Sequence, residues 1–377
     1  MALAIYRKYR PATFADLIGQ ELVVDILREA AKQDKLAHAY LFAGPRGTGK
    51  TTTARLIAKI ANCEKRAKDE KFRAKGEPCN ACETCASIDA GKSFDVIEID
   101  AASNRGIDEI RNLKESVRRA PSSSRSKIFI IDEAHQLTKD AANALLKTLE
   151  EPPAYAILIL ATTEAEKIPA TIVSRTQQFY FKHVPLRKIA EKLEKIAAAE
   201  KMKISRETID LIAASGEGSF RDSESLLDQL IALGEDKITL ETVESLVGKV
   251  SFRKVTEFAQ LLLESKLEES IGALSEIYDG GYNMAQFTKD LIQYLRRTAV
   301  LKYNSNMKGF FEKELTEDNV SKLIEQAKLF RDEHIALLKN LIQAYGQMRY
   351  SHFPIIPLEV AIIESLNKKG RPEARIT

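Results

Sequence analysis

The sequence predicts an α/β domain followed by an all-α region, and three observations lead to this fold class. Five short apolar runs alternate with segments of helical periodicity up to about residue 185, as in a mostly parallel sheet covered by helices. A glycine-rich phosphate-binding motif follows the first run directly. After residue 185 one amphipathic helical pattern follows another, so no further strand is expected.

The elements can be placed in order along the chain. One helix is bracketed on both sides: Thr138 is a candidate N-cap, KDAANALLKTLEE has helical spacing, and Pro152-Pro153 ends it. Breaks at ASGEGSFRD and near LVGKVSF divide the helical part into two domains with a boundary near residue 248. The candidate buried strands are 39–44 (AYLFAG), 95–100 (DVIEID), 127–132 (KIFIID), 156–161 (AILILA) and 177–181 (QQFYF).

Charge and hydropathy narrow the function classes. The chain has 377 residues with 57 basic and 54 acidic side chains, a net charge of +3, so no global basic field attracts it to nucleic acid. Any contact with DNA must be local. The N-terminus lacks the apolar stretch of a signal peptide, and no run of 18 apolar residues occurs. We expect a soluble cytoplasmic protein without membrane association, and the ending NKKGRPEARIT indicates a tail or linker, which favours a short or truncated form.

The segment GPRGTGKTT matches the pattern G-x4-G-K-[ST] from Gly44 to Thr51, between a strand and a helix. Its glycines let backbone N–H groups point inward, and the helix N-terminus completes a cradle for phosphates. Lys50 adds a positive charge for the phosphates, and Thr51 offers a hydroxyl to Mg²⁺. The predicted ATP-binding residues are Gly44, Pro45, Arg46, Gly47, Thr48, Gly49, Lys50, Thr51 and Thr52.

The run KIFIIDEAH delivers two carboxylates to the end of a buried strand. Asp132 is predicted to hold Mg²⁺ through water, and Glu133 to polarise the attacking water. The alternative is a carboxylate pair that only caps the strand. The letters DEAH also suggest a helicase, but no other helicase motif is visible.

Three further features point to a narrower class of ATPase. The strand AILILATTE ends in Thr162 and Thr163, hydroxyls able to sit between the nucleotide-binding strands and sense the γ-phosphate. The segment IPATIVSRT presents Arg175, and GEGSFRD places Arg221 after a glycine break. Alone, each arginine would be interpreted as a surface charge. In this order after a phosphate-binding loop, both become candidates for the nucleotide site.

All four cysteines lie within one short insertion, at Cys63, Cys79, Cys82 and Cys85. In a reducing compartment such a cluster favours metal over disulfides, and four thiolates form a closed tetrahedral zinc site of structural type. An iron–sulfur centre is the competitor, although a ferredoxin would have its fourth cysteine downstream and followed by proline. An inert reduced cluster is less favoured, because turn-forming residues surround the cysteines. The metal is expected to hold an insertion whose EKRAKDEKFRAKGE is too charged to fold by burial.

At this density of motifs the chain resembles the gamma/tau family of bacterial DNA polymerase III, the clamp-loader ATPase subunits of the AAA+ class. Clamp-loader subunits of eukaryotic type share the ATPase motifs but lack the cysteine insert. One departure is Ser174-Arg175-Thr176, where the family has serine–arginine–cysteine. The matching segments are YRKYRPATFADLIGQE, HAYLFAGPRGTGKTTTARLIAK, the cysteine insert, FDVIEIDAASN, IDEAHQL, NALLKTLEEPP, LATTE, IPATIVSR and GSFRD.

The resemblance implies roles for matched residues. Thr163 looks like the first sensor of the nucleotide, and Arg221 like the sensor on the lid domain. Arg175 is similar to the arginine that enters the ATP site of a neighbouring subunit, where such a group is worth about 10³–10⁵ in rate. An isolated chain would therefore lack part of its own site. Thr176 is small and polar, so the role of Arg175 is expected to survive the departure.

The resemblance also suggests contacts with primer–template DNA at helix starts that face a central chamber. Lys147 and Thr171 are the candidates, with Arg105 a looser one because its register is shifted. Contacts of this kind to phosphates give position without sequence preference. Each of the three residues could equally be a solvated surface residue.

Residues and resemblance together predict three domains: an AAA+ nucleotide-binding domain (1–185) with a four-cysteine zinc insert (63–85), a helical lid (186–248) and a helical collar for oligomerisation (249–377). The implied cofactors are ATP, Mg²⁺ and Zn²⁺. The implied partners are the delta and delta prime subunits and further copies of the chain in a hetero-pentamer, the beta sliding clamp, primer–template DNA, and the polymerase III core through a C-terminal tail if one is present. ATP binding would hold an open clamp and hydrolysis would release it closed on DNA, without a polymerase active site.

Two other function classes stay open at this point. A AAA+ DNA motor, such as a branch-migration helicase, would share the ATP site but form homo-hexamers and unwind duplexes unaided. A non-enzymatic zinc module would bind nucleic acid without ATP, and its activity would survive the loss of Lys50.

Overall fold

The computed structural model describes residues 4–103, 106–233, 237–348 and 350–367, and the chain divides into two compact units. The first unit contains the described residues up to Val184 together with Gly218–Ser225. The second contains Pro185–Glu217 and the described residues from Leu226 onward.

The first unit is built on a parallel five-stranded sheet in the order β2-β3-β4-β1-β5, as the α/β prediction requires. The strands are β1 (Ala39–Ala43), β2 (Val96–Asp100), β3 (Lys127–Asp132), β4 (Ala156–Thr162) and β5 (Gln177–Tyr180). The helices are α1 (Ile5–Lys8), α2 (Glu21–Lys32), α3 (Lys50–Asn62), α4 (Glu64–Lys68), α5 (Glu70–Arg73), α6 (Glu83–Asp89), α7 (Ile107–Arg118), α8 (Lys139–Glu150) and α9 (Ala170–Val173).

Side chains that alternate along the central strands form a core on each face of the sheet. In β1, Tyr40 and Phe42 pack on one face with α2 and α3 residues such as Leu27 and Ile57. Leu41 of the same strand packs on the opposite face, in a core to which α7 and α8 contribute apolar residues. Because both faces are covered, the central strands are apolar throughout, which is why the sequence shows them so clearly.

Two strands predicted to be buried are partly exposed. β2 and β5 lie at the two edges of the sheet; β2 has no fully buried residue, and Phe179 is the one buried residue of β5. The prediction of burial was wrong for these strands. Strand order decides which strands lie at an edge, and that order is not encoded in the apolar content of a single run.

The bracketed helix is confirmed as α8. Thr138 is its N-cap, and the Thr138 Oγ1 accepts a hydrogen bond from the Ala141 N–H at 3.2 Å. The helix ends at Glu150, directly before Glu151 and the two prolines. The cap satisfies an N–H group that the first turn leaves without a helical partner.

The second unit is helical, with one exception to the prediction. Two short strands, β6 (Lys203–Ile204) and β7 (Lys237–Ile238), pair in parallel, so the expectation of no strand after residue 185 was wrong. Runs of two residues are too short to show alternation in a sequence. The helices after residue 185 are α10 (Leu186–Ala199), α11 (Arg206–Ser215), α12 (Phe220–Ala232, whose residues up to Ser225 belong to the first unit), α13 (Leu240–Val247), α14 (Phe252–Leu263), α15 (Leu267–Asp279), α16 (Met284–Tyr303), α17 (Lys308–Glu314), α18 (Glu317–Ala327), α19 (Glu333–Met348) and α20 (Ile355–Leu366).

The break predicted near residue 248 coincides with the end of α13. Gly248 follows Val247 with a φ of +64°, a left-handed conformation that glycine adopts at little cost. Beyond it, α14 to α20 share one apolar core that includes Phe258, Phe287 and Leu341. Among the residues that the structure describes, no helix has both the length and the apolar character needed to span a bilayer.

Candidate functional site

Three strand ends meet at the carboxyl edge of the sheet. β4 lies between β3 and β1, and all three run parallel. The phosphate-binding loop follows β1, Asp132 ends β3, and Thr162 ends β4. Parallel neighbours present their carboxyl ends together, so the predicted site residues from three separate segments become adjacent.

Three positions in the loop from Gly44 to Gly49 require glycine because of their backbone conformation, and two of them also because a side chain would have no space. Gly44, Gly47 and Gly49 have φ values of +143°, +70° and +107°. A Cβ atom on Gly44 would lie 2.3 Å from the carbonyl oxygen of Phe181, and one on Gly47 would lie 1.8 Å from Ser219 Oγ. A side chain at Gly44 or Gly47 would clash, and all three positions would be strained.

Lys50 lies at the start of α3 and is almost fully buried. Its ammonium group donates to the carbonyl oxygens of Gly44 at 2.7 Å and Pro45 at 2.8 Å. Burial lowers the pKa of Lys50, and the nearby charges of Glu133 and Asp132 oppose that shift. The loop therefore holds a cation within its own turn, where a phosphate group would be bound.

Thr51 and Asp132 form the predicted magnesium pair. Thr51 Oγ1 donates to Asp132 Oδ2 at 2.7 Å, and Asp132 Oδ1 accepts from the Glu133 N–H at 3.0 Å. A hydroxyl and a carboxylate at this separation suit a small cation that prefers oxygen ligands in octahedral geometry. The donor set therefore fits Mg²⁺.

Glu133 has an unusual backbone and a specific side-chain partner. Its φ and ψ are 49° and 44°, a left-handed conformation that costs a residue other than glycine about 1–3 kcal/mol. Its carboxylate accepts a hydrogen bond from Thr163 Oγ1 at 3.0 Å. Thr162 Oγ1 instead contacts His135 Nδ1 and accepts the Glu164 N–H. The structure thus gives the two neighbouring threonines different partners: Thr163 binds Glu133, and Thr162 binds His135.

Arg221 lies beside the phosphate-binding loop. The Phe220 N–H donates to the carbonyl oxygen of Gly47 at 3.2 Å, and Ser219 packs against the same glycine. The Arg221 guanidinium lies 5.3 Å from the centre of the Tyr6 ring, within cation–π distance. The sequence did not point to Tyr6, because an aromatic residue outside a periodic pattern gives no signal for a contact with a distant segment.

Arg175 lies just after α9 and bonds to residues outside the phosphate-binding loop. Its guanidinium pairs with Glu150 Oε1 at 2.6 Å and donates to the carbonyl oxygen of Thr171 at 2.9 Å. Its side chain is 34% exposed. Neither partner belongs to the loop or to the Asp132-Glu133 pair.

The candidate DNA residues are only partly described. Lys147, in the last turn of α8, and Thr171, in α9, are exposed. Arg105 lies outside the described residues.

Sequence reasoning also missed Gln20 and His135. Gln20 is buried; its amide donates to the carbonyl oxygen of Lys182 at 2.8 Å and accepts the Lys182 N–H at 3.1 Å, next to the loop. No spacing rule marks such a residue. His135 has a possible signal, its position directly after Asp-Glu-Ala, but those four letters by themselves indicate only part of a helicase motif.

The four cysteines converge as predicted. Cys63, Cys79, Cys82 and Cys85 are free thiols whose sulfur atoms all lie within 4.8 Å of one another. Sulfur ligands around tetrahedral zinc are about 3.8 Å apart, given bonds of about 2.3 Å. Burial raises the pKa of Cys79, but N–H groups of Ala81 and Cys82 outweigh it and lower that pKa to about 7. The geometry fits a four-sulfur metal site.

The segment between Cys63 and Cys79 folds in a way the sequence did not suggest. It forms the short helices α4 and α5, and Arg66 is buried there. The Arg66 guanidinium donates to the carbonyl oxygens of Ile60, Arg73 and Ala31 at 3.3, 3.1 and 2.7 Å. The expectation that this charged segment cannot fold by burial was therefore incomplete, because one buried arginine organises it.

Two charged residues attach the cysteine insert to the nucleotide-binding fold. Lys59 of α3 is 1% exposed, and its ammonium group bonds Asn80 Oδ1 at 2.8 Å and Asp89 Oδ1 at 2.9 Å. Glu77 accepts N–H groups from Phe14 at 2.7 Å and Ala15 at 3.1 Å. The insert is thereby joined both to the helix that begins at the loop and to the N-terminal segment.

Three family profiles match consecutive parts of the chain. The profile described as DNA polymerase III, delta subunit, matches residues 19–185. DNA polymerase III clamp loader subunit, ATPase lid domain, matches residues 188–236. DNA polymerase III subunits gamma and tau domain III matches residues 238–374.

Individual relatives agree with these profiles. DNA polymerase III subunit tau of Bacillus subtilis strain 168 is 40% identical over 361 residues, which cover 96% of this chain and 62% of the relative. The tau subunit of Escherichia coli K12 is 37% identical over 295 residues, covering 78% of this chain and 45% of the relative. The chain thus spans less than two thirds of the length of these relatives.

Among solved structures, the Thermotoga maritima RuvB Holliday junction branch migration motor has a TM-score of 0.45 and 19% identity. The match covers 71% of this chain and 85% of that one. A likeness this distant does not favour the DNA-motor alternative.

Proposed function

The chain belongs to the gamma/tau family of DNA polymerase III subunits, and from this membership we propose that it is an ATP-hydrolysing clamp-loader subunit. ATP turnover in the assembly would place a sliding clamp on primer–template DNA. The observation that carries the proposal is the convergence of Lys50, the Thr51–Asp132 pair and the Glu133–Thr163 pair at one edge of the sheet.

Each side chain has a distinct task in this proposal. Lys50 and the loop N–H groups bind the phosphates, and Thr51 with Asp132 would hold Mg²⁺, which neutralises charge on the phosphate oxygens when bound. Glu133 orients and polarises the attacking water. Thr163 holds the Glu133 carboxylate and senses the γ-phosphate, while Arg221 reaches the nucleotide from the segment packed on Gly47.

Arg175 is proposed to act on a neighbouring subunit. Its position after α9, its one-third exposure and its partners outside the loop support a role in trans. A guanidinium that approaches the γ-phosphate of a neighbour would stabilise charge that develops during transfer to water. ATP hydrolysis would then depend on assembly.

The partners and domain roles extend the same proposal. Residues 1–185 would form the ATPase domain, 186–248 the lid and 249–377 the collar. The other subunits would be delta, delta prime and further copies of this chain, acting on the beta clamp, and a C-terminal tail, where present, would reach the polymerase core. Lys147 and Thr171, and more loosely Arg105, would contact DNA phosphates.

The function can be tested with Lys50→Ala in the complete complex of chain, partner subunits, clamp and primed DNA. Loss of the charged contacts is expected to weaken MgATP affinity by about 10- to 100-fold, because such hydrogen bonds contribute about 1.5–3 kcal/mol. Nucleotide titration, ATP turnover and clamp placement on primed DNA would be measured. Lys35→Ala, at an exposed lysine of the same unit, is the control. Clamp placement that persists in the Lys50 variant would refute the proposal.

For the cysteine cluster we propose a structural zinc site. Metal analysis of the purified chain is expected to give about one zinc per chain. Replacement of Cys79 and Cys82 by serine should remove the metal and expose the insert to protease, because the metal contributes directly to folding of such segments. A brown, iron-containing protein or a metal-free one that resists protease would contradict the assignment.

A further inference from the structure

His135 lies between the ends of two strands at the nucleotide site, and the chemistry proposed above does not use it. It belongs to the short turn Ala134–Gln136 after β3, and its side chain is 5% exposed. Its Nδ1 lies 3.0 Å from Thr162 Oγ1, and its Nε2 lies 3.1 Å from Glu164 Oε1. Both partners belong to the end of β4 and the residues after it, so the imidazole ring bridges β3 and β4.

Polar groups lie next to both nitrogens of the ring. Besides Glu164, Nε2 lies 2.9 Å from the side-chain amide nitrogen of Gln136. Thr162 Oγ1, the neighbour of Nδ1, also accepts the Glu164 N–H at 3.0 Å. The ring is therefore held on both sides by groups at hydrogen-bond distance.

The distances show which partner holds each group. Glu133 Oε2 accepts the Thr163 hydroxyl at 3.0 Å and lies farther, 3.5 Å, from His135 Nδ1. Nδ1 itself lies closer to Thr162 Oγ1, at 3.0 Å. His135 thus contacts Thr162 most closely, and Thr163 holds the Glu133 carboxylate.

Thr162 connects the histidine to the rest of the site. Its side chain is completely buried and bonds His135, while its carbonyl oxygen accepts the Gly44 N–H at 3.1 Å. The next residue, Thr163, bonds Glu133. Thr162 thus joins the His135 ring to the phosphate-binding loop. Through the peptide bond to Thr163 it also joins the ring to the hydroxyl that holds Glu133.

We propose that His135 is a positioning residue for ATP hydrolysis, which acts by fixing Thr162 and hence the end of β4. The inference rests on the proposed ATPase function. His135 would not contact the reacting atoms. It would keep Thr163 against Glu133 and keep β4 aligned with the loop at Gly44. Displacement of a catalytic group by about 1 Å can cost about 10² in rate, so a fixed β4 end matters for turnover.

The test compares three replacements of His135 in the assembled complex. Asparagine places an amide near the position of Nδ1, glutamine places one near Nε2, and phenylalanine keeps the ring without polar atoms. His135→Phe is expected to lower kcat by about 10- to 100-fold. MgATP affinity should fall less than kcat, since the loop and its lysine remain. His135→Asn should recover much of kcat, and His135→Gln less.

The controls separate this inference from the function on which it rests. His38→Phe, at an exposed histidine of the same unit, should leave kcat unchanged. Wild-type kcat in His135→Phe would overturn the proposal, as would recovery by glutamine alone, which would assign the effect to Glu164. Equal losses of affinity, Tm and kcat would show a merely structural role. If Glu133→Gln abolishes turnover in the same complex, such results count against His135 only; if it does not, the ATPase proposal itself fails.

Discussion

Arg175→Ala is expected to lower ATP turnover of the assembled complex by about 10³–10⁵-fold while MgATP still binds. In its own chain the guanidinium pairs with Glu150 and Thr171, and neither residue belongs to the phosphate-binding loop. Lys50 and Thr51 are unchanged in the variant, so affinity should remain. Turnover and nucleotide affinity would be measured separately on the same preparation.

A mixture of two defective chains gives the sharper version of this experiment. A Lys50→Ala chain has no working pocket but keeps Arg175, whereas an Arg175→Ala chain keeps its pocket. When a Lys50→Ala chain supplies its Arg175 to the intact pocket of a neighbouring Arg175→Ala chain, that ATP site is complete. Mixed complexes should therefore recover part of the ATP turnover that complexes of either variant alone lack. Arg187→Ala, at an arginine that pairs with Glu191 on α10, is the control. Mixtures that show no recovery at any ratio would contradict a role in trans.

Glu133→Gln is expected to reduce ATP hydrolysis by about 10²–10⁴-fold, the usual contribution of a general base. The amide has nearly the shape of the carboxylate and can still accept the Thr163 hydroxyl, which lies 3.0 Å away in the native chain. Binding of MgATP should persist, because Lys50 and Thr51 are untouched. Single-turnover hydrolysis with bound nucleotide separates the two effects.

The matched control for this prediction is Glu166→Gln, at an exposed glutamate close to the end of β4. It removes the same charge without touching the site and should hydrolyse ATP at the native rate. Native turnover in the Glu133 variant would refute its assignment as the group that polarises water.

Local sequence patterns predicted the strands, the helix cap, the loop and the cysteine cluster, because each of these features is determined by residues close together in the chain. The five strands of the sheet begin and end within one residue of the predicted runs. For the three central strands the reason is that a strand buried on both faces must be apolar throughout. The Thr138 N-cap and the glycines of the loop were also predicted, because a helix cap and a tight turn each require particular residue types at fixed positions in the chain. The four cysteines were recognised as one cluster because their spacing alone limits what they can do.

The features that the sequence did not predict depend instead on contacts between segments that are far apart in the chain. The exposure of β2 and β5 depends on strand order, and the pairing of β6 with β7 joins runs of only two residues. The contacts of Tyr6 with Arg221 and of Gln20 with Lys182 join segments that are far apart in the chain. A sequence pattern is periodic and local, so it carries no signal for one contact across the fold.

The sequence by itself determined the phosphate-binding loop, the Asp132-Glu133 pair, the cysteine cluster and the family to which the chain belongs. Tertiary structure alone decided which hydroxyl faces Glu133, which threonine binds His135, and which residues Arg175 contacts within its own chain. The physical reason is that hydrogen bonds act over about 3 Å. Chemistry at that range depends on side chains that only the packed sheet brings together.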